Sequence, residues 1–284
     1  MNILVTGSKG QLGSDIKDLS KEYTNNTYFF TDYQELDITS KEQLQKFFKS
    51  NNIDYIINCA AYTAVDLAET EKDKCFLLNA ESVKNLVEIA KEYNSKFITV
   101  STDYVFSGDA TEPYLESDAT DPKSVYGESK VLGEKYSMEY ENSIVIRTSW
   151  LYSTHGNNFV KTMLRLGKEK SELGIVADQI GAPTFSYDLA KAILDIIEYS
   201  EKEKFVSGIY HYSNKGIISW FDFTKKIFEI EGIDCKLKAI TTADYPTPAK
   251  RPAYSVFSLN KIAETYGIDI PLWDESLAVC LSRL

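Results

Sequence analysis

Ile3-Leu4-Val5-Thr6-Gly7-Ser8-Lys9-Gly10-Gln11-Leu12-Gly13 joins an apolar run to a glycine turn and then to a helical pattern, with Leu12, Ile16 and Leu19 on one side. Strand, glycine turn and helix, in that order, is the context in which a glycine motif carries meaning. Gly7 permits a tight turn, Gly10 lets backbone approach a pyrophosphate, and Gly13 lets the helix pack on the strand. The helix N-terminus favours phosphate charge. The spacing Gly-x-x-Gly-x-x-Gly is one residue off the commoner Gly-x-Gly-x-x-Gly, and a plain glycine turn is the competing reading. Its place at the first crossover favours a dinucleotide-binding turn.

Working outward, Thr27-Tyr28-Phe29-Phe30-Thr31 reads as a second strand ending at Asp32. An acidic residue about 20 positions beyond the glycines is where an NAD ribose hydroxyl is held. Lys9, inside the turn, suits a 2′-phosphate instead, so the choice between NADH and NADPH stays open. Thr39 or Ser40 caps a helix with Leu44, Phe47 and Phe48 on its apolar face. Tyr55-Ile56-Ile57-Asn58-Cys59-Ala60-Ala61 is a third strand. Its small terminal residues suit either a flat ligand close to the backbone or simple packing. A helix through Leu77, Leu86 and Ala90 leads to Phe97-Ile98-Thr99-Val100. Four strands alternating with helices predict an α/β fold, a doubly wound parallel sheet.

The last of these strands runs into Ser101-Thr102-Asp103-Tyr104-Val105-Phe106, so Thr102 and Asp103 belong at its carboxyl end, where open α/β sheets place ligands. A loop with Asp118, Asp121 and Pro122 precedes Tyr126-Gly127-Glu128-Ser129-Lys130. Tyr126 and Lys130, four apart, share a helix face. A free phenol titrates near 10, and an adjacent ammonium favours the phenolate, so the pair suits proton exchange with a carbonyl or alcohol. With 19 tyrosines in the chain, chance pairing is the bland alternative.

The remainder changes character. Ile144 to Tyr152 reads as one further strand that ends by offering Trp150. Helices are expected over 157–166, 187–199 and from Ser219 through Ile230, strands within 174–184 and over 208–213, and a loop with Lys250-Arg251-Pro252. No repeat or Gly/Ser linker appears, so the second part is expected to pack on the first.

The 284 residues are 43% hydrophobic and 26% charged, an ordinary globular composition. A net charge of −11 without a basic stripe argues against nucleic acid or anionic membranes as partners. No apolar run reaches the roughly 20 residues of a membrane span, and no signal peptide is expected, which implies a cytoplasmic protein. Cys59, Cys75, Cys235 and Cys280 are scattered, favouring reduced thiols over zinc or disulfides. Two histidines, His155 and His211, are too few for a histidine metal site or a Ser-His-Asp triad.

These residues together resemble the extended short-chain dehydrogenase/reductases, and within them the dTDP-4-dehydrorhamnose reductase family. The carriers are Gly7 to Gly13, Leu36-Asp37-Ile38, Asn58 to Asp66, Ser101 to Phe106, Tyr126 to Lys130, Arg147 to Trp150, Asp178 to Thr184 and Arg251-Pro252. The resemblance implies a Rossmann-type sheet with a smaller C-terminal α/β substrate domain. Residues 1–150 plus the helix near 185–205 would bind NAD(P), and 151–184 with 206–284 the nucleotide sugar.

It also implies that Gly10, Gln11 and Leu12 meet the pyrophosphate, that Asp37 and Ile38 flank adenine, and that Ala61, Tyr62 and Thr63, after Ala60, line the nicotinamide side. Tyr126 would donate the proton, Lys130 would lower its pKa and hold the nicotinamide ribose, and Thr102 would orient the 4-keto oxygen. Asp103, Tyr104, Val65 and Trp150 would lie at the sugar, with Arg251 at the diphosphate. NADPH or NADH is the expected cofactor. Some members are dimers bridged by Mg²⁺, and no bridging acidic residues are matched here, so monomer and homodimer both stand. Dehydratases carry Asp-Glu after the strand-end Thr, and Tyr104 replaces that Glu here. An epimerase, or a non-catalytic subunit like the regulatory partner of methionine adenosyltransferase, are the alternatives.

Overall fold

The computed structural model describes residues 1–284. Five strands, β1 (Asn2–Thr6), β2 (Thr27–Phe30), β3 (Tyr55–Asn58), β4 (Lys96–Thr102) and β5 (Ser143–Thr148), are joined by Gly208–His211 in one six-stranded sheet. Every pairing is parallel, and the spatial order is β2, β1, β3, β4, β5, then 208–211. The order reverses between β1 and β3. Neighbouring strands there send their connections to opposite faces, which opens a crevice at their carboxyl ends.

Both faces are covered. Helix α1 (Gln11–Leu19) puts Leu12, Ile16 and Leu19 against one face. On the other, α2 (Lys41–Ser50), started by the Ser40 side chain, contributes Leu44 and Phe48. Short helices α3 (Val65–Ala68) and α4 (Lys72–Phe76) then pass through a π-helical turn, Leu77–Glu81, into α5 (Ser82–Tyr93). Val83, Leu86, Val87 and Ala90 of α5 complete the second apolar layer. A parallel sheet buried on both faces accounts for the near-continuous apolar β1, β3 and β5. Helix α6 (Val125–Met138) is capped by Ser124, whose hydroxyl accepts from Gly127 N–H at 3.1 Å.

A second, smaller core gathers Tyr152, Phe185, Phe223, Phe228 and Leu277. Around it lie α7 (Phe159–Glu169), helices Trp220–Glu231 and Trp273–Ser282, and a parallel pair, Glu172–Val176 with Lys236–Ile240. Helix α8 (Ser186–Lys202) leaves this region and packs beside α1 against the main sheet.

Two sequence expectations need correction. Gly208–His211 belongs to the main sheet, paired with β5 from Gly208↔Ile144 to His211↔Arg147, and not to the smaller layer. Asn260–Tyr266 follows it, burying Ile262 and Tyr266 in the α1/α8 core. The chain thus returns to the main layer once more than a break at 206 allows, and crosses between layers twice more. The run from Ile144 to Tyr152 is also not one strand. It breaks after Thr148, because Trp150 takes φ +48°, and resumes as Leu151–Tyr152 beside Thr184–Phe185. No helix is long and apolar enough to cross a membrane.

Candidate active site

A cleft of about 580 Å³ at the carboxyl edge of the sheet is lined by Gly7, Gly10, Asp32, Ile38, Ala60 and Ala61, among others including Asp37. It lies over the β1/β3 reversal. Gly7 holds φ +63°, and a Cβ there would stand 2.6 Å from the Ala60 backbone nitrogen. A Cβ on Gly13 would stand 2.5 Å from the Gly7 carbonyl oxygen. These approaches require glycine and leave a bare backbone cradle at the start of α1, with Gly10 as N-cap and no side chain capping it. The unfilled N–H groups suit an anion. Gln11 and Leu12 form the first turn behind them; Leu12 is buried, and the Gln11 amide oxygen accepts from Asn158 Nδ2 at 3.0 Å. A dinucleotide fits this donor set.

The opposing hints at the far end form one knot. The Lys9 backbone N–H donates to Asp32 at 3.1 Å, its ammonium to Glu35 at 2.8 Å, and the Asp32 N–H donates to Glu35 at 3.0 Å. Asp37 turns its carboxylate onto its own loop, accepting from the Thr39 N–H at 2.9 Å and hydroxyl at 2.7 Å.

The proton-handling groups lie buried where β4 meets α6. Helix α6 starts under the end of β4 and buries Tyr126 and Lys130. Tyr126 lies in one apolar cluster with Tyr62, Val65 and Tyr104. The Tyr104 ring meets it edge-on, centroids 5.5 Å apart. Lys130 donates to the Val100 carbonyl oxygen at 2.6 Å. Burial brings the Lys130 ammonium down to about 8, with Glu134 opposing.

Burial also lifts the Tyr126 phenol above its ordinary range, against a hydrogen bond with Thr102 that lowers it. Burial is the largest effect on the phenol and runs opposite to the depression expected from Lys130. The phenol is protonated at neutral pH, the state a proton donor requires. The Thr102 hydroxyl donates to Asp103 at 2.9 Å. Burial pushes the Asp103 carboxyl up to about 6, opposed by hydrogen bonds from Thr102 and Ser255.

Trp150, on its left-handed backbone, stacks on Trp220 with centroids 3.7 Å apart and planes 13° from parallel. A Cβ on Gly181 would meet both Trp150 and the Ser255 hydroxyl at 2.7 Å, so Trp150, Ser255 and Asp103 form one wall. Arg251 donates to Asp66 at 2.8 Å and to the Tyr104 hydroxyl at 3.4 Å. Thr63 is exposed, and only its backbone is engaged, accepting from the Val65 N–H at 2.9 Å.

Asn79 was not singled out from sequence. Fully buried in the π-helical turn, it accepts from the Tyr62 N–H at 2.8 Å and donates to the Tyr62 carbonyl and the Ser129 hydroxyl, both at 3.0 Å. It ties the loop after β3 to α6. A lone Asn in Leu77-Leu78-Asn79-Ala80-Glu81 carries no periodic signal for this. Asp66 was seen in its stretch without a role.

His211 is buried and neutral, brought down to about 3 by burial and the neighbouring Arg147. His155 pairs with Asp18 at 2.9 Å. No group of three or more His, Cys, Asp or Glu side chains stands close enough to hold a metal ion.

A doubly wound sheet with a glycine cradle at its reversal and a buried Tyr-Lys pair beside a strand-end Thr defines an extended short-chain dehydrogenase/reductase. The family model described as RmlD substrate binding domain matches residues 1–284. The dTDP-4-dehydrorhamnose reductase of Aggregatibacter actinomycetemcomitans is 43% identical over 286 residues, 97% of this chain and 96% of that protein. The crystal structure of a dTDP-4-dehydrorhamnose reductase from Clostridium acetobutylicum superposes with TM-score 0.94 at 42% identity, covering 100% of this chain and 99% of that one. One from Bacillus anthracis, in complex with NADP, gives 0.93 at 39%, with the same coverage. The chain belongs to the dTDP-4-dehydrorhamnose reductase family.

Proposed function

We propose that this protein reduces dTDP-4-dehydro-L-rhamnose to dTDP-L-rhamnose, the last step of dTDP-rhamnose biosynthesis, using NADPH or NADH. The observation that carries the reading is the buried Tyr126–Lys130 pair under Thr102, beside a cleft whose glycine floor fits a dinucleotide. Gly7, Gly10, Gln11, Leu12 and Gly13 hold the pyrophosphate against the α1 N-terminus. Asp32 takes the adenosine ribose, Asp37 and Ile38 the adenine, and Ala60, Ala61, Tyr62 and Thr63 the nicotinamide side.

The bound cofactor supplies a hydride to C4 of the sugar. Tyr126 gives its phenolic proton to the oxygen that becomes the new hydroxyl. Thr102 orients that oxygen, and Lys130 favours the phenolate left behind. Val65, Asp103, Tyr104 and Trp150 shape the sugar pocket, and Arg251 meets the diphosphate. The division of labour follows the layers: the main sheet serves the cofactor, and the smaller core with its flanking loops serves the nucleotide sugar. The protein works in the cytoplasm as a monomer or homodimer, on a small-molecule substrate and without nucleic acid.

The test follows nicotinamide absorbance with dTDP-4-dehydrorhamnose and identifies the sugar formed. Stoichiometric NAD(P)H oxidation with dTDP-L-rhamnose as product supports the assignment. A changed sugar without net oxidation would make it an epimerase. Tyr126→Phe is expected to keep cofactor affinity and to lose roughly a hundredfold or more in turnover; full turnover in that variant refutes the role.

A further inference from the structure

We propose that Asp66 is a positioning residue: it fixes the Arg251 guanidinium between the Tyr104–Tyr126 contact and an adjoining cavity that takes a nucleoside diphosphate. This rests on the nucleotide-sugar reading above. The two residues are 185 positions apart, and the hydrogen bonds between α3 and the C-terminal loop run through this one carboxylate. Asp66 Oδ2 accepts from Arg251 Nη2 at 2.8 Å, and Oδ1 accepts from the Ala249 N–H at 3.2 Å. The same side chain therefore holds both the guanidinium and the backbone of the loop that carries it. Arg251 Nη1 reaches the Tyr104 hydroxyl at 3.4 Å, and the Tyr104 ring meets Tyr126 edge-on. A line of contacts thus runs from Asp66 through Arg251 and Tyr104 to the proton-donating phenol.

Beyond Arg251 lies a cavity of about 430 Å³, whose lining includes Asp109, Asp178, Thr242, Pro248 and Lys250. Its only cations are Lys250 and Arg251. Its two carboxylates differ: Asp178 is taken by the Thr242 N–H at 2.8 Å and hydroxyl at 2.8 Å, while Asp109 is exposed. An anionic diphosphate entering such a space needs the guanidinium held away from Asp109 and turned to the passage. The Asp66 pair is 27% and 38% exposed, so it contributes little to global stability. Its effect is to order a rotamer-rich side chain before the ligand arrives. Two nitrogens of the fork are engaged, and the guanidinium retains further N–H donors for phosphate oxygens.

The test uses NADPH-loaded protein and dTDP as the calorimetric probe, alongside steady-state kinetics with the dTDP-sugar. Asp66→Asn is expected to weaken dTDP binding and raise the sugar-nucleotide KM by about fivefold to tenfold, the range for losing the pre-ordering of one long side chain. Turnover moves far less, and NADPH affinity is unchanged. Asp66→Glu recovers part of the loss. Arg251→Ala costs more, and Asp66→Asn placed on top of it costs nothing further, because the two act as a unit.

Wild-type dTDP affinity in Asp66→Asn, or losses that add in full to those of Arg251→Ala, overturns the proposal. A wild-type protein that does not bind dTDP overturns both this inference and the nucleotide-sugar reading. One that binds dTDP without oxidising NADPH sinks the reductase assignment alone, while the Asp66→Asn binding result still decides the positioning role.

Discussion

Lys130 donates to the carbonyl oxygen of Val100 at 2.6 Å, which anchors the proton-handling helix to the strand that ends in Thr102. The bond ties α6 to β4, with Tyr126 one turn earlier on the same helix. The ammonium is buried and brought down to about 8, so it gains from both the carbonyl dipole and an incoming hydroxyl. Lys130→Met is expected to lower turnover by roughly a hundredfold and to weaken NAD(P)H binding, since it removes the cation and its bond to the Val100 carbonyl. Lys130→Arg is not expected to rescue, because a planar fork does not fit a slot made for a point charge. Single-turnover kinetics and cofactor titration check both.

Much of this site was legible in the chain, for a physical reason. Residues at strand ends and in the first turn of a helix are placed by local rules. The glycine turn, Thr102, Tyr126 and Lys130 therefore fall where periodicity puts them. What escaped depends on long-range packing. The strand Gly208–His211 is four residues long and earns its place by pairing with β5, a partner 64 residues earlier. The left-handed Trp150 is imposed by the stack on Trp220 and the absent side chain at Gly181. Residue spacing conveys the nearness of Tyr126 and Lys130 and not the burial that raises the phenol.

Asn79 clamps both backbone groups of Tyr62 while touching Ser129 of α6. Asn79→Asp keeps the shape and the acceptor for the Tyr62 N–H but replaces two donated bonds with a charge facing a carbonyl. A loss of about 2–4 kcal/mol is expected, from the Tyr62 carbonyl losing its donor and facing a buried charge. Denaturant unfolding measures it. The NADPH KM should rise with it, because the loop after β3 loses its register to α6.

Arg147 and Glu134 form a buried pair, with guanidinium–carboxylate contacts of 2.9 and 2.7 Å and exposures of 2% and 5%. It pins α6 to β5 two turns below the site. Removing one partner leaves an uncompensated charge, so Glu134→Leu is expected to cost about 3–5 kcal/mol. Arg147→Met combined with Glu134→Leu should recover most of that loss, because the stranded charge goes with it. Chemical denaturation of the two single variants and the double variant checks this. A double variant as unstable as the worse single would contradict it.

The same Arg147 makes His211 a source of acid lability. Its Nη1 lies 3.4 Å from His211 Nε2, and His211 Nδ1 lies 3.2 Å from the Tyr114 carbonyl oxygen. The imidazole also stacks on Phe257 with centroids 4.3 Å apart. Burial and the Arg147 charge bring its folded-state pKa down to about 3, with Lys261 adding to the same direction and the carbonyls of Tyr114 and Ser258 opposing. Glu116 reaches only the His211 backbone N–H, at 3.2 Å. Because the folded value lies below the ordinary 6.5, the unfolded chain binds more protons between these limits. The contribution is fully present above about pH 6.5 and is lost as pH falls toward 3. It amounts to several kcal/mol at most, at about 1.4 kcal/mol per unit. His211→Gln, which titrates in neither state, should unfold at lower denaturant than the wild type at pH 7. Its stability should also fall less steeply between pH 6.5 and 4, so that the two curves converge. Parallel curves across that window would show that the imidazole is not held neutral in the fold.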